Sequence, residues 1–194
     1  MIGNAIAGLY GTGVAPSTTA YESIATTTVG SGGTATITFS SIPATYTHLQ
    51  IRGIIRGTRS NSSAFAQNIA IQYNNDSTSN YNGHELRGDG SSASSFANGQ
   101  SAVSNVIDIG PGSTSTANSF GAFICDILDY TSTNKTKVMR SLAGADLNGS
   151  GGIVLNSGLW LTSNAAITSI TLLTQPGGNN FAQYSQFALY GIKG

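Results

Sequence analysis

The chain has 194 residues, in which eight Lys and Arg balance eight Asp and Glu, and its formal net charge is zero. Only 8% of it is charged, against about 25% in an average soluble domain. With no room for a strong positive stripe, binding driven by phosphate contacts is excluded, and solubility must rest on Ser, Thr, Asn and Gln.

Residues 1–20 open as "MIGNAIAGLYGTGV" and end in "APSTTA". They show no clear period and read as a short extended arm. The stretch lacks a basic leading region, and four glycines interrupt it, so neither a signal peptide nor a membrane helix is expected. Its "GTGVAP" lacks the strand and helix that would make it a phosphate loop.

From Tyr21 the chain alternates between short apolar runs and turn formers. After "YESIATTTV", the run "TATITFS" puts Ala35, Ile37 and Phe39 on one face and threonines on the other, the period of a half-buried strand. The following strand, "HLQIRGIIR", sets Leu49, Ile51 and Ile55 on one face. His48, Gln50, Arg52 and Arg56 fall on the other, with Ile54 among them. Pro43 precedes it, where a missing N–H costs the ladder nothing. "NIAIQY" alternates again. "NYNGHELRGDG" is a polar hairpin or loop with strand character, and "GDGSSASSFANGQS" reads as loop.

"VSNVIDI" is the next strand. "FGAFICDILDY" is apolar on both faces and belongs in the middle of a sheet. "KTKVMRSLAG", "GIVLNSGLW", "AITSITLLT" and "SQFALYGI" follow, separated by "ADLNGSGG" and "QPGGNN". About ten strands with no long helical period predict an all-β chain: an antiparallel β-sandwich, jelly-roll-like, over residues 21–194. The last strand runs almost to Gly194 and should be tied into a sheet.

Reactive chemistry finds little footing. The two histidines are His48 and His84, and His84 and Glu85, being adjacent on a strand, point apart, so no metal site is expected. Asp126 and Asp129 are three apart and face opposite ways, unlike a glycosidase pair. No G-x-S-x-G elbow is present. "YNNDSTSN" (73–80) offers oxygens to calcium but lacks the glycine and glutamate of a calcium loop, and an Asn/Asp turn is the simpler reading. Cys125, the lone cysteine, lies in an apolar run and reads as a buried hydrophobe. No cofactor is expected. The residues that stand out are Arg52, Arg56 and Arg59, as an interface or solvated face, and Tyr81, Tyr130 and Tyr184, as glycan contacts. Trp160 and Tyr190 read as packing residues.

Two blocks carry a resemblance. "YESIATTTVGSGGTATITFSSIPATYTHLQIRG" (21–53) and "SGLWLTSNAAITSITLLTQPGGNNFAQYSQFALYGIKG" (157–194) resemble the opening and ending of small β-rich virion proteins of tailed bacteriophages, notably of cyanobacterial and marine hosts. The likeness is one of strands and turns, looser in the middle. It implies a non-enzymatic structural subunit of the virion, on the tail or capsid surface, made in the host cytoplasm. It implies self-association as a homotrimer and contact with other virion proteins through residues 1–20. A short tail-fibre or host-attachment subunit meeting a host surface glycan or protein is the leading expectation. A capsid decoration protein and a stand-alone carbohydrate-binding module are the alternatives. Neither nucleic acid nor membrane insertion is expected.

Overall fold

The computed structural model describes residues 20–107, 109–162, 165–175 and 177–194. The expected arm, residues 1–20, lies outside them but for Ala20. Every element among the described residues is a strand: β1 (Tyr21–Thr28), β2 (Thr36–Phe39), β3 (His48–Ile55), β4 (Asn68–Tyr73), β5 (Tyr81–Gly88), β6 (Ala93–Ser101), β7 (Ser104–Ile107), β8 (Gly121–Ile127), β9 (Lys137–Asp146), β10 (Gly151–Trp160), β11 (Ile170–Gln175) and β12 (Gln186–Ile192). No helix among them is long and apolar enough to cross a membrane.

The strands form two antiparallel sheets. The larger has eight strands in the order β1-β12-β3-β8-β9-β10-β5-β6, and the smaller has four, β2-β11-β4-β7. Side chains from both sheets share one core. The small sheet contributes Ile37, Phe39, Ile69, Ile71, Ile170 and Leu172, and the large one contributes Leu49, Ile51, Cys125, Val154, Phe187 and Leu189. The expected two-layered all-β body is therefore present at the level of two sheets around one core. The alternation expected for "TATITFS" holds over β2, with Ile37 and Phe39 buried and Thr36 and Thr38 exposed, but Ala35, expected beside the apolar pair, precedes the strand and is exposed. So does the face assignment in β3, where Leu49, Ile51 and Ile55 are buried while Arg52 and Ile54 are exposed. At the C-terminus, β12 lies between β1 and β3.

Two expectations need correction. "SSASSFANGQS" is not loop: it holds β6, an edge strand paired with β5 from Gly88↔Ala93 to Tyr81↔Ser101. Its residues are mostly exposed on both faces, so no apolar period marks it. The polar "YNGHELRG" is β5, a full strand between β10 and β6. Its inward Glu85 is buried because Arg87 neutralises it at 2.6 Å, and the Arg87 guanidinium is itself laid over the rings of Phe65 and Phe96.

Candidate interaction surface

The three arginines part company. Arg52 projects from the outer face of the large sheet, the face turned away from the core, as its place in β3 dictates. Its guanidinium lies between the rings of Tyr21 (5.7 Å) and Tyr190 (5.5 Å). Its Nε donates to Gln50 Oε1 at 2.6 Å, Gln50 Nε2 donates to Asp126 Oδ1 at 2.7 Å, and Arg140 Nε donates to Asp126 Oδ2 at 3.1 Å. A polar row thus crosses β3, β8 and β9.

Arg56 is spent on a loop of its own fold. It lies one residue beyond the end of β3, and its two terminal nitrogens donate to the carbonyls of Ser113, Ser115, Thr116 and Ser119 and to Ser119 Oγ, at 2.8–3.3 Å. It holds the 113–119 loop in place. Arg59 Nη1 likewise donates to the Ala66 carbonyl at 3.1 Å. A strand pattern extended through Arg56 gives its parity but not the loop that folds over to meet its guanidinium.

The tyrosines divide as well. Tyr81 and Tyr130 are fully buried and unable to meet a glycan, whereas Tyr184 is 66% exposed. Tyr81 stacks with Trp160 (ring centroids 6.4 Å, interplanar angle 16°), and Tyr73 is tilted against both. The Tyr81 hydroxyl accepts from the Tyr73 backbone N–H at 3.0 Å and donates to the Asp76 carbonyl at 3.1 Å. Tyr130 donates its hydroxyl to the Pro43 carbonyl. Both polar tips are used inside the fold, which is why burial costs these side chains little.

The other candidate centres resolve into local structure. In "YNNDSTSN", both carboxylate oxygens of Asp76 are engaged. Oδ1 accepts from the Thr78 N–H (3.0 Å) and hydroxyl, and Oδ2 accepts from Trp160 Nε1 (2.7 Å), Asn80 Nδ2 (3.0 Å) and Thr162 Oγ1 (3.3 Å). Burial would raise its pKa, but the hydrogen bonds from Thr78, Asn80 and Trp160 together hold it well below the usual carboxylate range. Asp129 sits in a turn at φ 47°, bonded by Lys135 Nζ at 2.6 Å, while Asp126 belongs to the polar row. Cys125 is buried. Among the described residues no group of three His, Cys, Asp or Glu is close enough to hold a metal ion.

What the sequence reading missed is the apolar character of the large sheet's outer face. Leu142, Leu155, Leu86, Ile153 and Ile54 all project there, each 44–55% exposed. They are in register. One row across four strands reads Ile124 (β8), Leu142 (β9), Leu155 (β10), Leu86 (β5). The next row, two residues along, reads Ala122, Gly144, Ile153, Gly88. The second row is mostly small, so a shallow apolar depression of about 320 Å³ forms over Ala122, Ile124, Leu142, Gly144 and Ile153. Burying one such large side chain fully would yield about 1.5–3 kcal/mol, which makes this cluster the candidate interaction surface. The double-faced apolar pattern of "FGAFICDILDY" was the one sequence signal for it.

No family model, curated protein or solved structure matches the chain.

Proposed function

We propose that the chain is a non-enzymatic structural subunit of a tailed-bacteriophage virion. In this reading residues 1–20 hold it to another virion protein, and the β body meets a host surface glycan or protein in the manner of a short tail fibre. The observation that carries the reading is the outer face of the large sheet. Ordered apolar side chains are exposed on it beside the Arg52–Gln50–Asp126–Arg140 row, on a chain with few other charges. Such a face works by meeting another surface, and a charge-poor Ser/Thr exterior elsewhere limits adhesion to the wrong one. Of the tyrosines considered for glycan contact, Tyr184 keeps its ring exposed.

The test is to decorate intact particles with an antibody against the chain. Signal at the tail tip supports the attachment subunit. Signal over the whole head supports a capsid decoration protein instead. No signal on particles, with saturable glycan binding by the isolated protein, supports the stand-alone carbohydrate-binding module. Removal of residues 1–20 is expected to abolish incorporation while leaving the β body folded.

A further inference from the structure

Over β8, β9, β10 and β5 the outer face of the large sheet is complementary to itself. Along β9, after Val138, the outward positions are, in order, Arg140, Leu142, Gly144 and Asp146: a cation, a large apolar group, a gap and an anion. A two-fold axis running across the strands at the level of Ala143 would set one copy's β9 antiparallel over the other's. Arg140 then faces Asp146 of the second copy, and Leu142 faces Gly144. The same operation acts on the neighbouring strands, because Phe123, Ala143, Val154 and Arg87 share one level. Ile124 meets Ala122, Leu155 meets Ile153, and Leu86 meets Gly88. Over these four strands the large row of each copy thus lies on the smaller row of the other, and Arg140 and Asp146 pair twice, while β3 at the margin sets Arg52 against Ile54.

We infer that this face is an isologous interface at which two copies of the chain stack their large sheets about a two-fold axis. The charges on hand suit it. Arg140 spends its Nε on Asp126, yet its side chain is 69% exposed. Asp146 is exposed, with Oδ1 accepting from the Asn148 N–H. Gly144 leaves open space rather than a neighbouring side chain above it: a Cβ there would meet only the Gly152 carbonyl, at 3.5 Å. Stacked sheets pack about 10 Å apart, within reach of interdigitated leucines. A two-fold pair takes the place of the three-fold assembly implied by the phage resemblance. The inference stands on strand register and does not rest on the virion reading.

Light scattering and sedimentation of the full chain over a wide concentration range test it. A dimer that dissociates on dilution is expected. Arg140→Asp and Asp146→Arg should each weaken association by at least about tenfold, through like charges brought together. Mixing these two variants should restore a dimer, since both cross-pairs are then Asp against Arg. Leu142→Arg should give a monomer. Circular dichroism confirms that each variant keeps its strands. A crosslink between Leu142→Cys in one copy and Gly144→Cys in another supports the register directly, against a buried and silent Cys125. A monomer or a trimer throughout overturns the inference. So does a dimer indifferent to Leu142→Arg, or a mixture that fails to recover.

Discussion

Trp160 Nε1 donates to Asp76 Oδ2 across 2.7 Å, tying the end of β10 to the turn that follows β4. The same carboxylate gathers Thr78, Asn80 and Thr162, so one side chain organises the turn and satisfies the buried indole. Asp76→Asn replaces an ionised acceptor with a weaker, one-oxygen one and should cost about 1.5–3 kcal/mol. The sign of its pH dependence follows from the depressed pKa. The stabilisation is fully present above the unfolded value of about 3.9 and is lost as pH falls through the folded one. Thermal midpoints of wild type and Asp76→Asn should therefore differ at neutral pH and converge in acid. A gap that widens in acid contradicts this role.

Arg56 gives a second prediction. A planar fork with several donors reaches four carbonyls of the 113–119 loop at once, which a single ammonium cannot copy. Arg56→Lys should recover only part of the loss seen in Arg56→Ala, itself about 1–3 kcal/mol in a urea titration. Hydrogen exchange should quicken at residues 113–119 before it quickens in β3. Uniform quickening across the molecule would mean that Arg56 stabilises the whole fold rather than this loop.

How far the sequence could be read depends on where polar groups were spent. β2, β3 and β4 are legible because their inward residues are apolar and their outward ones are not, apart from Ile54 and the buried Ala70. In β9 and β10 the pattern partly inverts. Ser141 and Asn156 face inward, both bonded to the Val106 carbonyl, while Leu142 and Leu155 face out. A two-residue period cannot say which face is covered when both carry apolar groups. Tyr81, Tyr130 and Arg56 were misjudged for a related reason. Each has a polar end that a sequence assigns to the surface, and each finds carbonyl partners from distant or looping segments that only the fold brings near.

Gly191 in β12 separates steric need from chance. A Cβ there would lie 2.3–2.5 Å from three atoms of the Tyr46 ring, which packs flat on the strand. Gly191→Ala must displace Tyr46 and with it the hydroxyl bond to Glu22 Oε2 at 3.0 Å. A cost of about 1–3 kcal/mol is expected, the range for overpacking. Gly30 has nothing within 4 Å of its would-be Cβ, so Gly30→Ala should be within about 0.5 kcal/mol of wild type or slightly stabilising. Equal effects of the two substitutions, measured by denaturant midpoint, would rule out the Tyr46 contact as the cause.

Cys125 offers a direct report on how rigid the core is. It lies in the middle of β8 with no exposed surface, and its Sγ is 3.8 Å from Met139 Sδ. Burial above all, with the Asp126 carboxylate beside it, pushes the thiol well above its ordinary range, so almost no thiolate exists at neutral pH. A thiol reagent should therefore label the native protein no faster than the molecule opens, and adding denaturant should release one reactive thiol per chain. The rate should fall with every stabilising condition and rise in the Gly191→Ala variant, because opening is what limits it. Rapid labelling in native buffer would mean that the two sheets part easily, leaving the outer face of the large sheet on a support too loose to hold its rows in register.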